Sequence, residues 1–104
     1  MKLQRMLILA TAGVVLAGMT SSAFAAPKEI RWWHAHGGAL GQRVNDIAKN
    51  FNLSQSEYKV IATHKGNYGE TMTAGIAAFR AGKQPHILQI FEVGTATMMG
   101  AKGA

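Results

Sequence analysis

Residues 28–63, KEIRWWHAHGGALGQRVNDIAKNFNLSQSEYKVIAT, decide the fold, because their hydrophobic period changes twice. Lys28–His34 alternates in part and carries Trp32 and Trp33, which suits a strand that ends before Gly37-Gly38. From Ala39 onward the pattern changes. Leu40, Val44, Ile47, Ala48 and Phe51 then form one stripe of an amphipathic helix, with Gln42, Arg43, Asn45, Asp46 and Lys49 on the polar side. Residues 58–63 return to a β-branched, strand-like run. A strand, a helix and a strand in that order form a parallel pair joined by a right-handed crossover.

The same alternation continues downstream. Lys65-Gly66-Asn67-Tyr68-Gly69 reads as a loop, and residues 70–80 as a helix with Met72, Ile76 and Phe79 on one side. Gly82 suits the C-terminal cap of that helix, and Pro85 follows shortly after. Residues 86–91, HILQIF, read as a short apolar strand, and residues 94–99 begin a third helix. The expected fold is therefore α/β, a parallel βαβαβ unit. Three strands and two complete helices make a sparse sheet, and a domain of this size buries only about 60% of its unfolded surface even when complete. The unit is expected to be the opening part of a larger α/β domain and the chain a partial gene product.

Upstream, Lys2 and Arg5 precede an uncharged run from Met6 to Met19, and Ala23-Phe24-Ala25 follows. This is the plan of a cleavable export signal, residues 1–25, with an A-x-A cleavage site. The apolar run falls short of the ~20 residues that span a bilayer, so the protein is not expected to be membrane-spanning. The chain contains no cysteine, which excludes both a lipid-accepting thiol after the signal and a disulfide framework. A freely diffusing periplasmic protein is expected. Removing Lys2 and Arg5 from 11 basic residues leaves nine against five acidic ones, scattered from Lys28 to Lys102. That charge is too dispersed for nucleic acid, which calls for a basic stripe.

In open α/β sheets ligands bind beyond the carboxyl ends of the strands. That rule selects residues 33–38, 65–68 and 92–97, two of which carry glycines close to a helix start. Tyr68 offers a phenol to a ligand, or else packs at the start of the second helix. Glu92, at the end of an apolar strand and so expected in a partly buried place, needs donors, which either a polyol or the amides of the next helix can supply. His34 and His36, two residues apart, can chelate a metal from an extended segment, but no third ligand stands at a recognisable spacing. Gly82-Lys83 lacks the first glycine of a phosphate-binding loop, since Ala77 stands there. No local catalytic set is visible, and neither an enzymatic activity nor a cofactor is expected.

Two runs carry a resemblance. Lys65-Gly66-Asn67-Tyr68, followed by AGIAAFR at residues 74–80 and ILQIFEVGTATMM at residues 87–99, is similar to the N-terminal part of the extracellular solute-binding family, the periplasmic receptors of ABC importers. Trp33-His34 and Gly41 fit that family's opening strand and helix. The similarity extends over the exported segment to about Met99. It implies a two-lobed receptor of which residues 26–104 are the N-terminal part of lobe one. It implies sn-glycerol 3-phosphate or a glycerophosphodiester as the ligand, with an oligosaccharide-binding relative as the rival, and inner-membrane permease subunits as partners. It also implies that Tyr68 and Glu92 line the ligand cleft. The second lobe, with the remaining ligand positions, does not appear in these residues.

Overall fold

A computed structural model describes residues 25–100, so the expected export signal lies outside the described residues except for Ala25. The elements are β1 (Lys28–His34), α1 (Gly38–Ser54), β2 (Tyr58–His64), α2 (Tyr68–Arg80), β3 (Ile87–Leu88), a 3-10 turn (Glu92–Gly94) and α3 (Thr95–Met99). The three strands form one parallel sheet in the order β2-β1-β3. The expected α/β class and parallel βαβαβ order are therefore observed.

β1 is the central strand because it carries the aromatic pair and has a partner on each side. Lys28 through His34 pair in register with Tyr58 through His64, while Trp32 and Trp33 pair with Ile87 and Leu88. The chain steps from β1 to β2 in one direction and then crosses back over β1 to reach β3. With right-handed crossovers, that reversal places α1 and α2 on opposite faces of the sheet.

β3 is shorter than the residues 86–91 read from the sequence. Its ladder to β1 closes at Gln89, whose amide donates to the Trp33 carbonyl at 2.9 Å. Beyond that point the Gln89 side chain turns toward the loop after β1, and the backbone leaves the sheet. α2 also begins earlier than its apolar pattern suggests. Asn67 caps it: the Asn67 side chain accepts from the Glu70 amide at 2.8 Å, and the Glu70 carboxylate accepts from the Asn67 amide at 3.2 Å. This reciprocal capping box starts the helix at Tyr68.

The apolar stripe of α1 is only half used. Gly41, Val44 and Ala48 are buried, whereas Leu40, Ile47 and Phe51 stay exposed. Val44 and Ala48 are the buried apolar residues of the described segment. α2 shows the same shortfall: Thr71 and Gly75 are buried, and Phe79 of its expected stripe is exposed. Gly75 lies so close to β3 that a Cβ there would meet Leu88 Cδ2 at 2.5 Å.

The outer edge of β2 is closed by two side-chain amides. Asn52 donates from Nδ2 to the Val60 carbonyl at 2.9 Å and accepts at Oδ1 from the Val60 amide at 2.7 Å. Gln55 makes the same two bonds with Tyr58, each 2.7 Å. Together they imitate a fourth strand and blunt an edge that would otherwise be open to pairing.

Candidate functional site

All three strands run parallel, so the loops after β1, β2 and β3 gather at one end of the sheet. The direction of winding reverses at β1, and the crevice between the carboxyl ends of β1 and β3 is the switch point where such sheets bind ligands. The structure brings side chains from all three loops together there.

Tyr68 opens α2 and stacks on Phe91, with ring centroids 5.1 Å apart and planes inclined by 30°. The His36 imidazole meets the same phenol edge-on at 6.2 Å. Gln89 fixes the loop after β1: its Oε1 accepts from the Ala35 amide at 2.9 Å, so its Nε2 is the atom 2.7 Å from His36 Nε2. A side-chain amide nitrogen can only donate, which makes His36 Nε2 the acceptor and leaves the ring proton on Nδ1. Lys65 lies over the Trp33 ring at 4.0 Å, a cation–π contact that ties the loop after β2 to the end of β1.

Glu92 directly follows Phe91 and opens the 3-10 turn, whose first carbonyl accepts from the Thr95 amide. It is exposed rather than partly buried, because β3 has already left the sheet when the chain reaches it. Tyr68 and Glu92 thus stand on neighbouring segments joined by the Tyr68–Phe91 stack. His36, Gln89 and Phe91 complete this wall. Sequence reasoning passed over Gln89 and Phe91; the signal was a lone amide and an aromatic in a run otherwise made of aliphatic residues.

His34 is the other notable side chain at this end, only 2% exposed. Its near partner is His64, not His36: strict register between β1 and β2 sets the two rings 5.7 Å apart. Burial, and then the neighbouring His64 and His36, push the His34 pKa below its ordinary value of 6.5. Among the described residues, no three His, Cys, Asp or Glu side chains converge in a way that would hold a metal ion. No described helix is long and apolar enough to cross a membrane.

An α/β unit with a three-stranded parallel sheet in the order β2-β1-β3 fits an incomplete lobe of a periplasmic solute-binding protein. No family model matches the chain. Over most of its length, however, the chain is a relative of the sn-glycerol-3-phosphate-binding periplasmic proteins UgpB. It is 50% identical over 95 residues to that of Brucella suis biovar 1, covering 91% of this chain and 22% of the relative. It is 52% identical over 96 residues to that of Agrobacterium fabrum, covering 92% and 22%, and 57% identical over 74 residues to that of Yersinia enterocolitica, covering 71% and 17%. The resemblance read from residues 65–99 is thereby upheld, and the matched residues span only 17–22% of the length of these relatives. Those relatives are named as binding proteins, not as enzymes.

Proposed function

We propose that these residues form one wall of a receptor for sn-glycerol 3-phosphate, exported to the periplasm by residues 1–25 and serving an ABC importer without catalysing a reaction. The single observation that carries this reading is the Tyr68–Phe91 stack, which sets Tyr68 and the Glu92 segment side by side at the switch-point crevice. Tyr68 contacts the body of the ligand. Glu92 accepts hydrogen bonds from the glycerol hydroxyls and faces away from the phosphate, since two anions in contact would repel by several kcal/mol. The phosphate then falls to donors elsewhere, including a second lobe that closes over this wall, and the closed receptor docks on inner-membrane permease subunits.

The test is calorimetric titration with sn-glycerol 3-phosphate of a complete binding protein carrying these residues, made by placing residues 26–100 in the matching segment of the Agrobacterium fabrum relative. Losing a hydrogen bond to a charged group costs about 1.5–3 kcal/mol, so Glu92→Gln is expected to weaken binding roughly tenfold to a hundredfold. Unchanged affinity would remove Glu92 from the site.

A further inference from the structure

Gln89 stands where β3 leaves the sheet, and both its backbone and its side chain bond to the central strand and the loop that follows it. Its amide donates to the Trp33 carbonyl at 2.9 Å. In a parallel ladder the next bond would run from the Ala35 amide to the Gln89 backbone carbonyl. The side chain takes that place instead, with Oε1 accepting from the Ala35 amide at 2.9 Å, and Nε2 then reaches His36 Nε2 at 2.7 Å. We propose that Gln89 is a positioning residue for the ligand, acting through the His36 ring on the Tyr68 phenol. This rests on the reading of Tyr68 as a ligand contact.

By lending its side chain to the ladder, Gln89 lets its backbone turn away toward Phe91 and Glu92 while Ala35 and His36 stay tied to the sheet. Gln89 and Phe91, two residues apart, thereby both bear on Tyr68: Phe91 stacks on the phenol at 5.1 Å, and the His36 ring that Gln89 holds meets it edge-on at 6.2 Å. Tyr68 is 38% exposed, so its ring is held by these neighbours and not by a core around it.

The amide is the group this place requires. One end must accept from a backbone N–H and the other must donate to a neutral imidazole, and a primary amide does both. A thioether of similar length would fill the space but leave the Ala35 amide and His36 Nε2 unpaired, and both residues are half-buried. A carboxylate would still accept from Ala35, but it has no proton to give to His36. The imidazole would then have to carry its own proton on Nε2, leaving Nδ1 as an acceptor.

The test uses the complete binding protein carrying residues 26–100. At about pH 8, where an ordinary imidazole is neutral, nitrogen NMR of the histidine rings is expected to show His36 protonated on Nδ1, and Gln89→Glu is expected to reverse that tautomer. Gln89→Met is expected to weaken sn-glycerol 3-phosphate binding about tenfold by calorimetry. The same substitution made together with His36→Ala is expected to change affinity far less, because the path through the ring is already gone. An unchanged affinity in Gln89→Met, equal losses with and without His36, or a tautomer that Gln89→Glu leaves alone would each overturn this inference while the unsubstituted protein still binds its ligand. Absence of binding by the unsubstituted protein would instead overturn the receptor reading, and this inference with it.

Discussion

Tyr68 and Phe91 stack at 5.1 Å, and this contact is what joins the loop after β2 to the segment after β3 across the central strand. The two residues are 23 positions apart, and β1 lies between the strands that lead to them. In the proposed receptor Phe91 would act on the ligand only through others: it packs against the Tyr68 ring and directly precedes Glu92.

Phe91→Ala is expected to weaken sn-glycerol 3-phosphate binding by up to about tenfold, because an aromatic pair contributes about 0.5–1.5 kcal/mol beyond its buried area. Phe91→Tyr keeps the stack and is expected to restore affinity. Calorimetry on the complete binding protein carrying residues 26–100 checks both. Equal affinity in all three proteins would remove the stack from the site's architecture.

The element order was legible because each period is local: Lys28–His34 alternates, and Val44 and Ala48 repeat at helical spacing. What stayed hidden depends on partners distant in sequence. Which half of the α1 stripe is buried is decided by where the sheet lies, so Leu40 and Ile47 read as core and proved exposed. The meeting of His34 with His64 follows from a strand register that no spacing reveals. The start of α2 is a different case, since Asn67 and Glu70 stand at capping-box spacing and the signal was present in the chain. Glu92 looked half-buried only while residues 86–91 were taken as one strand, and the departure of Gln89 from the ladder exposes it.

The edge of β2 yields a second prediction. Asn52→Ala strips both partners from the Val60 backbone, and each polar group left unpaired costs about 1–3 kcal/mol where water cannot replace the bond. It also reopens an edge strand to pairing with other chains. The expected outcome in the complete binding protein is a lower denaturation midpoint together with concentration-dependent aggregation, read by chemical denaturation and light scattering. Asn52→Asp keeps the acceptor for the Val60 amide and loses only the donor, so it should fall between the two.

Core size yields a third. Among the described residues Val44 and Ala48 are the fully buried apolar side chains, while Leu40, Ile47, Phe51 and Phe79 are exposed. The conformational entropy of ordering this many residues, about 1–2 kcal/mol each, needs more apolar burial than a core of two fully buried small side chains and half-buried neighbours such as Trp32, Trp33 and Ile61 gives. Residues 26–104 expressed alone are therefore expected to show no cooperative thermal transition by circular dichroism. A sharp transition would mean that the sheet is held by contacts other than the burial described here.

His34 sets the direction of the pH dependence. Its folded-state pKa lies below the ordinary value of 6.5, chiefly from burial and further from His64 and His36. Above the unfolded value the imidazole is neutral in both states and its contribution to stability is constant. As pH falls below about 6.5 the unfolded chain takes up a proton that the folded form resists, so stability is lost down to the folded pKa and levels off beneath it. Denaturation of the complete binding protein carrying residues 26–100 is expected to show this loss on the acid side of pH 6.5. His34→Gln removes the titrating group and should flatten the profile in that window whatever it does to the midpoint.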